Sequence, residues 1–417
     1  MKTVLVIGSG GREHAIVDAI ARSSQVGTIY CAPGNAGIAQ LAQTVAIADT
    51  DCVALRDFAL SHHVDLTIVG PEAALAAGVV DMFRAAGLTI FGHTAAATRI
   101  ESSKQFAKQL MSEADVPTAA YRTFSDYHQA LAYVQAGTFP TVLKYDGLAA
   151  GKGVVVADSL EQADTALRSM LLDEVYGEGE VVIEQFLTGP EFSFMCFVSG
   201  ENVYPMPLAQ DHKRAYDDDL GPNTGGMGAY TPLPFITDED RDFALRHILQ
   251  PIAKVMAHHG LPLSGVLYGG LMKTPQGIQV IEFNARFGDP ETEVILPLLR
   301  SDAYDLFYAI ASGTTPEPLV WDQQAVIGVV LASKGYPGTY TKGATICGVE
   351  SFPGKVYHMG TRREGERLVT NGGRVLMCLQ SAHTLADARQ QLYAALTTIQ
   401  CDNLFCRHDI AHSALKN

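Results

Sequence analysis

The chain has 417 residues, 47% of them hydrophobic and 18% charged, enough for two to four folded units with substantial cores. Its formal charge of -15 argues against a surface that binds nucleic acid by neutralising many phosphates, while leaving room for a local basic pocket that takes a small anion. Seven scattered cysteines form no CxxC pair, the apolar run at 4–7 is too short for a signal-peptide core, and no stretch approaches the roughly 18 apolar residues of a membrane span, so the sequence reads as cytoplasmic with reduced thiols.

Residues 3–7, 28–31, 65–69 and 88–91 are short strand-like runs, and 12–22, 53–63 and 73–86 carry helical patterns between them. That alternation predicts βαβ units with a parallel sheet. Gly8-Ser9-Gly10-Gly11-Arg12-Glu13 follows the first strand and opens the first helix, where free backbone N–H groups favour a phosphate. A dinucleotide fingerprint needs a third glycine at 13 and an acid closing the second strand; the chain has Glu13 and Tyr30-Cys31-Ala32-Pro33, which disfavours an NAD site. A tight turn serving only packing would use the same glycines, but Arg12 beside them favours a phosphorylated small molecule.

Helices are expected at 102–114, 125–135 and 159–172 and strands at 180–187 and 191–198, an α+β pattern. TVLKYDGLAAGKGVVV, at 141–156, reads as a hairpin whose loop can lay backbone N–H groups and a lysine on an anion, with Lys144 reaching under it. Gly147 and Gly151-Lys152 fall one residue short of P-loop spacing, and Gly153 stands where Ser or Thr would hold magnesium, so this is not a Walker loop. A hairpin with solvated lysines would look the same. Asp211-His212-Lys213-Arg214 and the glycine-rich 221–228 segment read as one long loop, of the kind that binds ligands.

A long helix is expected over 238–259, then two antiparallel strands around the turn at 274–277. In the second strand Ile281 and Phe283 fill one face, and Glu282, Asn284 and Arg286 project from the other. Two hard oxygen donors side by side suit Mg²⁺ completed by nucleotide phosphates and water, although a solvated edge strand explains them equally well. Asp289 adds an acid in the following turn. From 326 onward short strands alternate with Gly-Pro turns, and a helix is expected at 383–399.

The runs GSGGREHA, APGNAG, TIVGPE, KYDGLAAGKG, QDHKR, GPNTGGMGAY, VIEFNARFGDPET, GYPG and TNGGRV extend over the whole length. On them the chain resembles the ATP-grasp superfamily and, within it, the glycinamide ribonucleotide synthetases. The resemblance implies an α/β and α+β multidomain fold: an N-terminal parallel-sheet βαβ domain at 1–101 for phosphoribosylamine, an ATP-grasp region at 102–325 with a lid at about 118–187, and a C-terminal mixed α/β domain at 326–417. It also implies ligation of glycine to 5-phosphoribosylamine through glycyl phosphate, with ATP as co-substrate and Mg²⁺ or Mn²⁺ as cofactor, by a monomer or weak dimer.

On the matching positions, Lys104, Lys144, Gly147, Gly151, Lys152 and Gly153 are expected at the ATP phosphates, Glu184, Gln185, Phe186 and Leu187 at adenine, and Glu191 at the ribose. Glu282 and Asn284 match the metal ligands. Lys144, Asp211, Lys213 and Arg286 are expected to carry the chemistry, the last three orienting glycine and the acyl phosphate. Gly10, Gly11, Arg12, Asn35 and Glu72 are expected to bind phosphoribosylamine, with Asp289 beside the substrates. Three features depart from the pattern: Tyr145 stands where a small residue is expected, Gln185 where a second Glu is common, and 266–272 lacks an acid that could serve as a further metal ligand. The rivals are another ATP-grasp ligase or carboxylase of purine biosynthesis, against which the DHKR and GPNTGGMG segments argue, and a catalytically silent nucleotide-binding protein, against which Lys144, Glu282 and Asn284 argue.

Overall fold

The computed structural model describes residues 1–147 and 153–415. Its N-terminal sheet has five parallel strands, in the order Gln43–Thr44, Val26–Pro33, Lys2–Gly8, Leu66–Val69, Ile90–Phe91. Leu5 and Ile7 pack with Leu55, Val69 and Phe83 on one face, while Val4 and Val6 pack with Ile16, Ile20 and Phe197 on the other. Burial on both faces explains an unbroken apolar run in place of alternation. Strand order reverses between Lys2–Gly8 and Leu66–Val69, leaving at their carboxyl ends the crevice where open α/β sheets take ligands.

Residues 73–86 form two helices, Glu72–Ala76 and Val79–Ala85, where one was expected, because Gly78 adopts a left-handed φ of 84° and breaks the ladder. The helix Ala95–Ser102 was not anticipated; it meets Lys104–Glu113 at Ser103, whose hydroxyl caps the second helix.

Within 118–187, four antiparallel strands run in the order Tyr121–Phe124, Val181–Gln185, Thr141–Tyr145, Val154–Ala157. The expected hairpin is present, with Lys144 opposite Val154. The helices Tyr127–Gln135 and Leu160–Leu171 complete a core whose apolar members all lie between Phe124 and Ile183. Tyr145 is accommodated inside that core, and its hydroxyl lies 3.2 Å from the carbonyls of Gly177 and Glu178.

The central sheet runs Asn202–Pro205, Glu191–Gly200, Leu263–Thr274, Gly277–Asn284, all antiparallel. Phe192, Phe194, Leu267 and Leu271 pack against the helical segment at 238–258, which is α-helical except for a π-wound turn, Leu245–Leu249, just before Pro251. Proline cannot donate to the carbonyl one turn back, and the wider turn falls where that bond is missing. In the last strand Gly270 pairs with Glu282 but Leu271 with Val280, so Ile281 is the extra residue of a β-bulge. The bulge corrects the expected alternation: Val280 and Phe283, not Ile281, face the core.

The segment expected as one long loop is largely paired. Gln210–Asp211 and Gly228–Thr231 extend the C-terminal sheet through Ala325–Ser333, Arg374–Ala382 and Lys355–His358, and Arg214–Tyr216 pairs with Leu220–Asn223. Main-chain pairing through glycine and charge leaves no apolar alternation to read. The helix expected at 383–399 spans Leu385–Ala395 and packs on this sheet. No helix among the described residues is long and apolar enough to cross a membrane.

Candidate active site

The crevice of the N-terminal sheet is lined by a carboxylate. Glu13 accepts from the Gly10 N–H and from Arg12 Nε, each at 2.6 Å. A Cβ on Gly70 would lie 2.0 Å from Glu13 Oε1 and one on Gly8 would lie 2.5 Å from its Cγ, so the ends of both strands must be glycine. Arg12 Nη1 donates to the Phe287 carbonyl at 3.1 Å and stands 4.0 Å from Glu72. Burial pulls the Arg12 guanidinium down, but Glu13, Asp289 and Glu72 outweigh it and hold it above its ordinary value. Asn35 donates to the carbonyls of Ser9 and His358 at 2.8 and 2.7 Å and accepts from Gly37 and Ile38, framing the loop from both sides. Gly10 and Gly11 stay open because Glu13 and Glu293 crowd the space a side chain would need.

Glu72 joins this cradle to the central sheet. Arg286 Nε lies 3.7 Å from it, Arg286 Nη2 lies 3.2 Å from Glu101, and the guanidinium sits 5.9 Å over the Tyr268 ring. Burial pushes Glu72 up, yet Arg286 and Arg12 more than offset it and hold the carboxyl low. Glu101 is the opposite case: burial raises it in spite of Arg286. Asp289 pairs with Arg374 at 2.8 Å.

Glu282 and Asn284 stand on one face of their strand, opposite Gly270 and Tyr268. Among the described residues neither side chain has a hydrogen-bond partner, and no group of three or more His, Cys, Asp or Glu forms a metal cage. Two oxygen donors of this kind fit a hard divalent ion whose remaining ligands are phosphate oxygens and water. Lys104 donates to the Gly147 carbonyl at 3.1 Å. Burial lowers Lys104, against the pull of Glu282 and Asp146. Lys213 lies 2.9 Å from Asp211 and 3.4 Å from Glu191.

Beneath Asp211 and Lys213 is a network that the sequence did not announce. Ser193 Oγ and Tyr268 OH each lie within hydrogen-bond distance of Glu291 Oε1, at 2.8 and 2.7 Å. Burial and the nearby Asp211 raise Glu291. Ser193 and Tyr268 fall inside runs that read as plain strand, so the only available signal was Glu291 in the FGDPET run.

Gln185, Phe186 and Leu187 line a cleft of about 390 Å³ with Thr274, Gln276 and Gln279. Glu184 turns away from it: its carboxylate is buried, 2.9 Å from Lys144 and 3.3 Å from Lys108, a lysine not singled out in the sequence. Lys144 also donates to the Ile281 carbonyl at 2.9 Å. Gly151 and Lys152 lie outside the described residues, while Gly153 closes the hairpin by accepting from the Tyr145 N–H at 2.8 Å.

An antiparallel sheet carrying Lys144, with Lys104 close by and a neighbouring strand bearing two hard oxygen donors, is the arrangement of an enzyme of the ATP-grasp class. The profile of the phosphoribosylglycinamide synthetase N domain matches residues 2–101, that of its ATP-grasp (A) domain 102–292 and that of its C domain 326–413. The phosphoribosylamine–glycine ligase of Halalkalibacterium halodurans is 50% identical over 416 residues, covering 99% of this chain and 97% of that protein. The enzyme of that name from Escherichia coli K12 is 49% identical over 423 residues, covering 99% of each. The crystal structure of phosphoribosylamine–glycine ligase from Thermotoga maritima superposes with a TM-score of 0.87 at 31% identity, covering 98% of this chain and all of that one. The chain belongs to the phosphoribosylglycinamide synthetase family.

Proposed function

We infer that the chain ligates glycine to 5-phosphoribosylamine with ATP, giving glycinamide ribonucleotide, ADP and phosphate, a step of purine biosynthesis. The observation that carries this reading is the convergence of Arg12, from the phosphate cradle, and Arg286, from the metal-ligand strand, on Glu72. A phosphorylated amine held at the first helix therefore meets a carboxylate activated beside Glu282 and Asn284.

Adenine lies against Gln185, Phe186 and Leu187, with the backbone of Glu184 rather than its side chain, and Glu191 holds the ribose. Lys104, Lys144 and the 147–153 loop hold the phosphates. Asp211, Lys213 and Arg286 orient glycine; an arginine fork suits its carboxylate. That carboxylate attacks the γ-phosphorus, ADP leaves, and glycyl phosphate results. The amine of phosphoribosylamine, placed by Gly10, Gly11, Arg12, Asn35 and Glu72, then attacks the acyl carbon; the C–N bond forms, phosphate departs, and the amine gives up a proton. Asp289 supports this junction through Arg374. Phosphoryl transfer of this kind asks for positioning and charge neutralisation more than for a protein nucleophile. When bound at Glu282 and Asn284, Mg²⁺ or Mn²⁺ would supply charge neutralisation at the transferring phosphate. The protein works as a cytoplasmic monomer or weak dimer.

The test is ADP release with Mg-ATP, glycine and phosphoribosylamine generated in situ, omitting each in turn. Release that needs both glycine and the amine supports the reading; release without glycine, or only with bicarbonate, removes the substrate assignment.

A further inference from the structure

Lys108 lies on the helix Lys104–Glu113 with 2% of its surface exposed, and nothing in the reaction as derived above uses it. It donates to Thr118 Oγ1 at 2.7 Å, and that hydroxyl passes a hydrogen bond to the Val280 carbonyl at 2.7 Å. It also stands 3.3 Å from Glu184 Oε1, while Lys144 holds the other oxygen, Oε2, at 2.9 Å. The Tyr121 ring lies 5.3 Å from its ammonium. Two ammonium groups thus share one carboxylate at a site closed to water.

The charge count matters here. Lys144 and Glu184 alone would form a neutral buried pair, and a neutralised Lys144 has little left to offer an anion. Lys108 leaves the cluster one positive charge in excess. Burial pulls Lys108 down to about 8, with Glu184 opposing the fall and Lys144 adding to it.

We propose that Lys108 is a positioning residue for the nucleotide: by engaging one oxygen of Glu184 it keeps that carboxylate from neutralising Lys144, whose ammonium stays available to an ATP phosphate. The proposal rests on the nucleotide reading given above. The same network anchors the carbonyls of Val280 and Ile281, the two residues immediately before Glu282, so it also ties the lid to the strand that presents the metal ligands.

The test compares wild type with Lys108→Met and Lys108→Gln, the second keeping a hydrogen-bond donor for Thr118 while losing the charge. Both are expected to raise the KM for ATP, and the calorimetric Kd for Mg-ATP, about tenfold or more, corresponding to the loss of a charged contact. The KM values for glycine and phosphoribosylamine stay unchanged. Folding survives, because the remaining Lys144–Glu184 pair is neutral. Adding Glu184→Gln to Lys108→Met frees Lys144 again and returns ATP affinity toward wild type, a rescue that a purely structural lysine would not give. Unchanged ATP affinity in both single variants, or an equal loss for all three substrates together with a lowered Tm, overturns the proposal. Lys144→Met separates the two levels. If it also binds ATP normally, the nucleotide reading fails; if it loses ATP while the Lys108 variants do not, only the role of Lys108 fails.

Discussion

Arg374 Nη1 lies 2.8 Å from the Asp289 carboxylate and donates to the carbonyls of Gly225 and Asp289 at 2.7 and 3.0 Å. One side chain from the C-terminal sheet thereby fastens the glycine-rich 221–228 segment to the turn that follows the strand of Glu282 and Asn284. Close by, Glu293 is fully buried, and burial together with Asp289 pushes its carboxyl well up, against the pull of Arg374. Removing the cation leaves the partly exposed Asp289 beside the buried Glu293 without Arg374 between them. Arg374→Met is expected to cost about 1–3 kcal/mol in urea unfolding, the range for leaving hydrogen-bonded polar groups without their partner. A variant as stable as wild type would show that the pair carries no such weight.

Glu282→Ala should abolish turnover and leave the fold intact, because among the described residues the carboxylate has no hydrogen bond to lose and only the longer-range pull on Lys104. Its unfolding free energy is expected within about 0.5 kcal/mol of wild type, as for a substitution that breaks no packed contact. Steady-state assays over a Mg²⁺ titration check this, and wild-type turnover in the variant would sink the metal assignment.

Arg12 should act on one substrate only. Replacing it by Lys keeps a charge beside the buried Glu13 but loses the fork that reaches the Phe287 carbonyl and Glu72. The KM for phosphoribosylamine is expected to rise roughly 10- to 100-fold, the value of a charge-assisted hydrogen bond, with the KM for ATP unmoved. An unchanged phosphoribosylamine KM would take the first helix out of the site.

His93 gives a pH test of the junction between the N-terminal and central sheets. The ring is fully buried, its Nδ1 accepts from the Ser264 N–H at 3.0 Å, and its Nε2 donates to the Val266 carbonyl at 2.8 Å. Burial lowers it to about 4, the Val266 carbonyl opposing and Arg84 assisting. In the unfolded chain the ring takes its proton near 6.5. Its contribution is therefore complete above pH 6.5 and is lost as pH falls toward 4, at up to ~1.4 kcal/mol per pH unit. The stability deficit of His93→Gln should shrink over that window, whereas a constant deficit would mean that the ring does not titrate on unfolding.

The parts of this architecture that local chemistry decides were legible in the sequence. Continuous apolar strands, the glycine loop before Arg12 and the Glu282–Asn284 pair each advertise themselves within a few residues. What escaped depends on partners far along the chain. The bulge at Ile281 is set by pairing with Gly270 and Leu271. Lys108, one turn after Lys104, reads as a second solvated lysine until Thr118 and Glu184 close around it. Ser193 and Tyr268 acquire meaning only when Glu291 folds between them. Gly78 was visible as a glycine, but apolar spacing on both sides masked the break it imposes.

The apolar core between Phe124 and Ile183 is drawn, among the described residues, from that segment alone. Its interior can therefore drift in sequence without the rest of the molecule answering, and the whole unit is a candidate for transplantation between relatives. Such a graft has to match the polar seam, where Thr118 bonds Val280, Lys144 bonds Ile281, Asp146 bonds Ser103 and Glu184 faces Lys108. Compatibility between a lid and a foreign body would be decided by those few contacts and not by the packing of either.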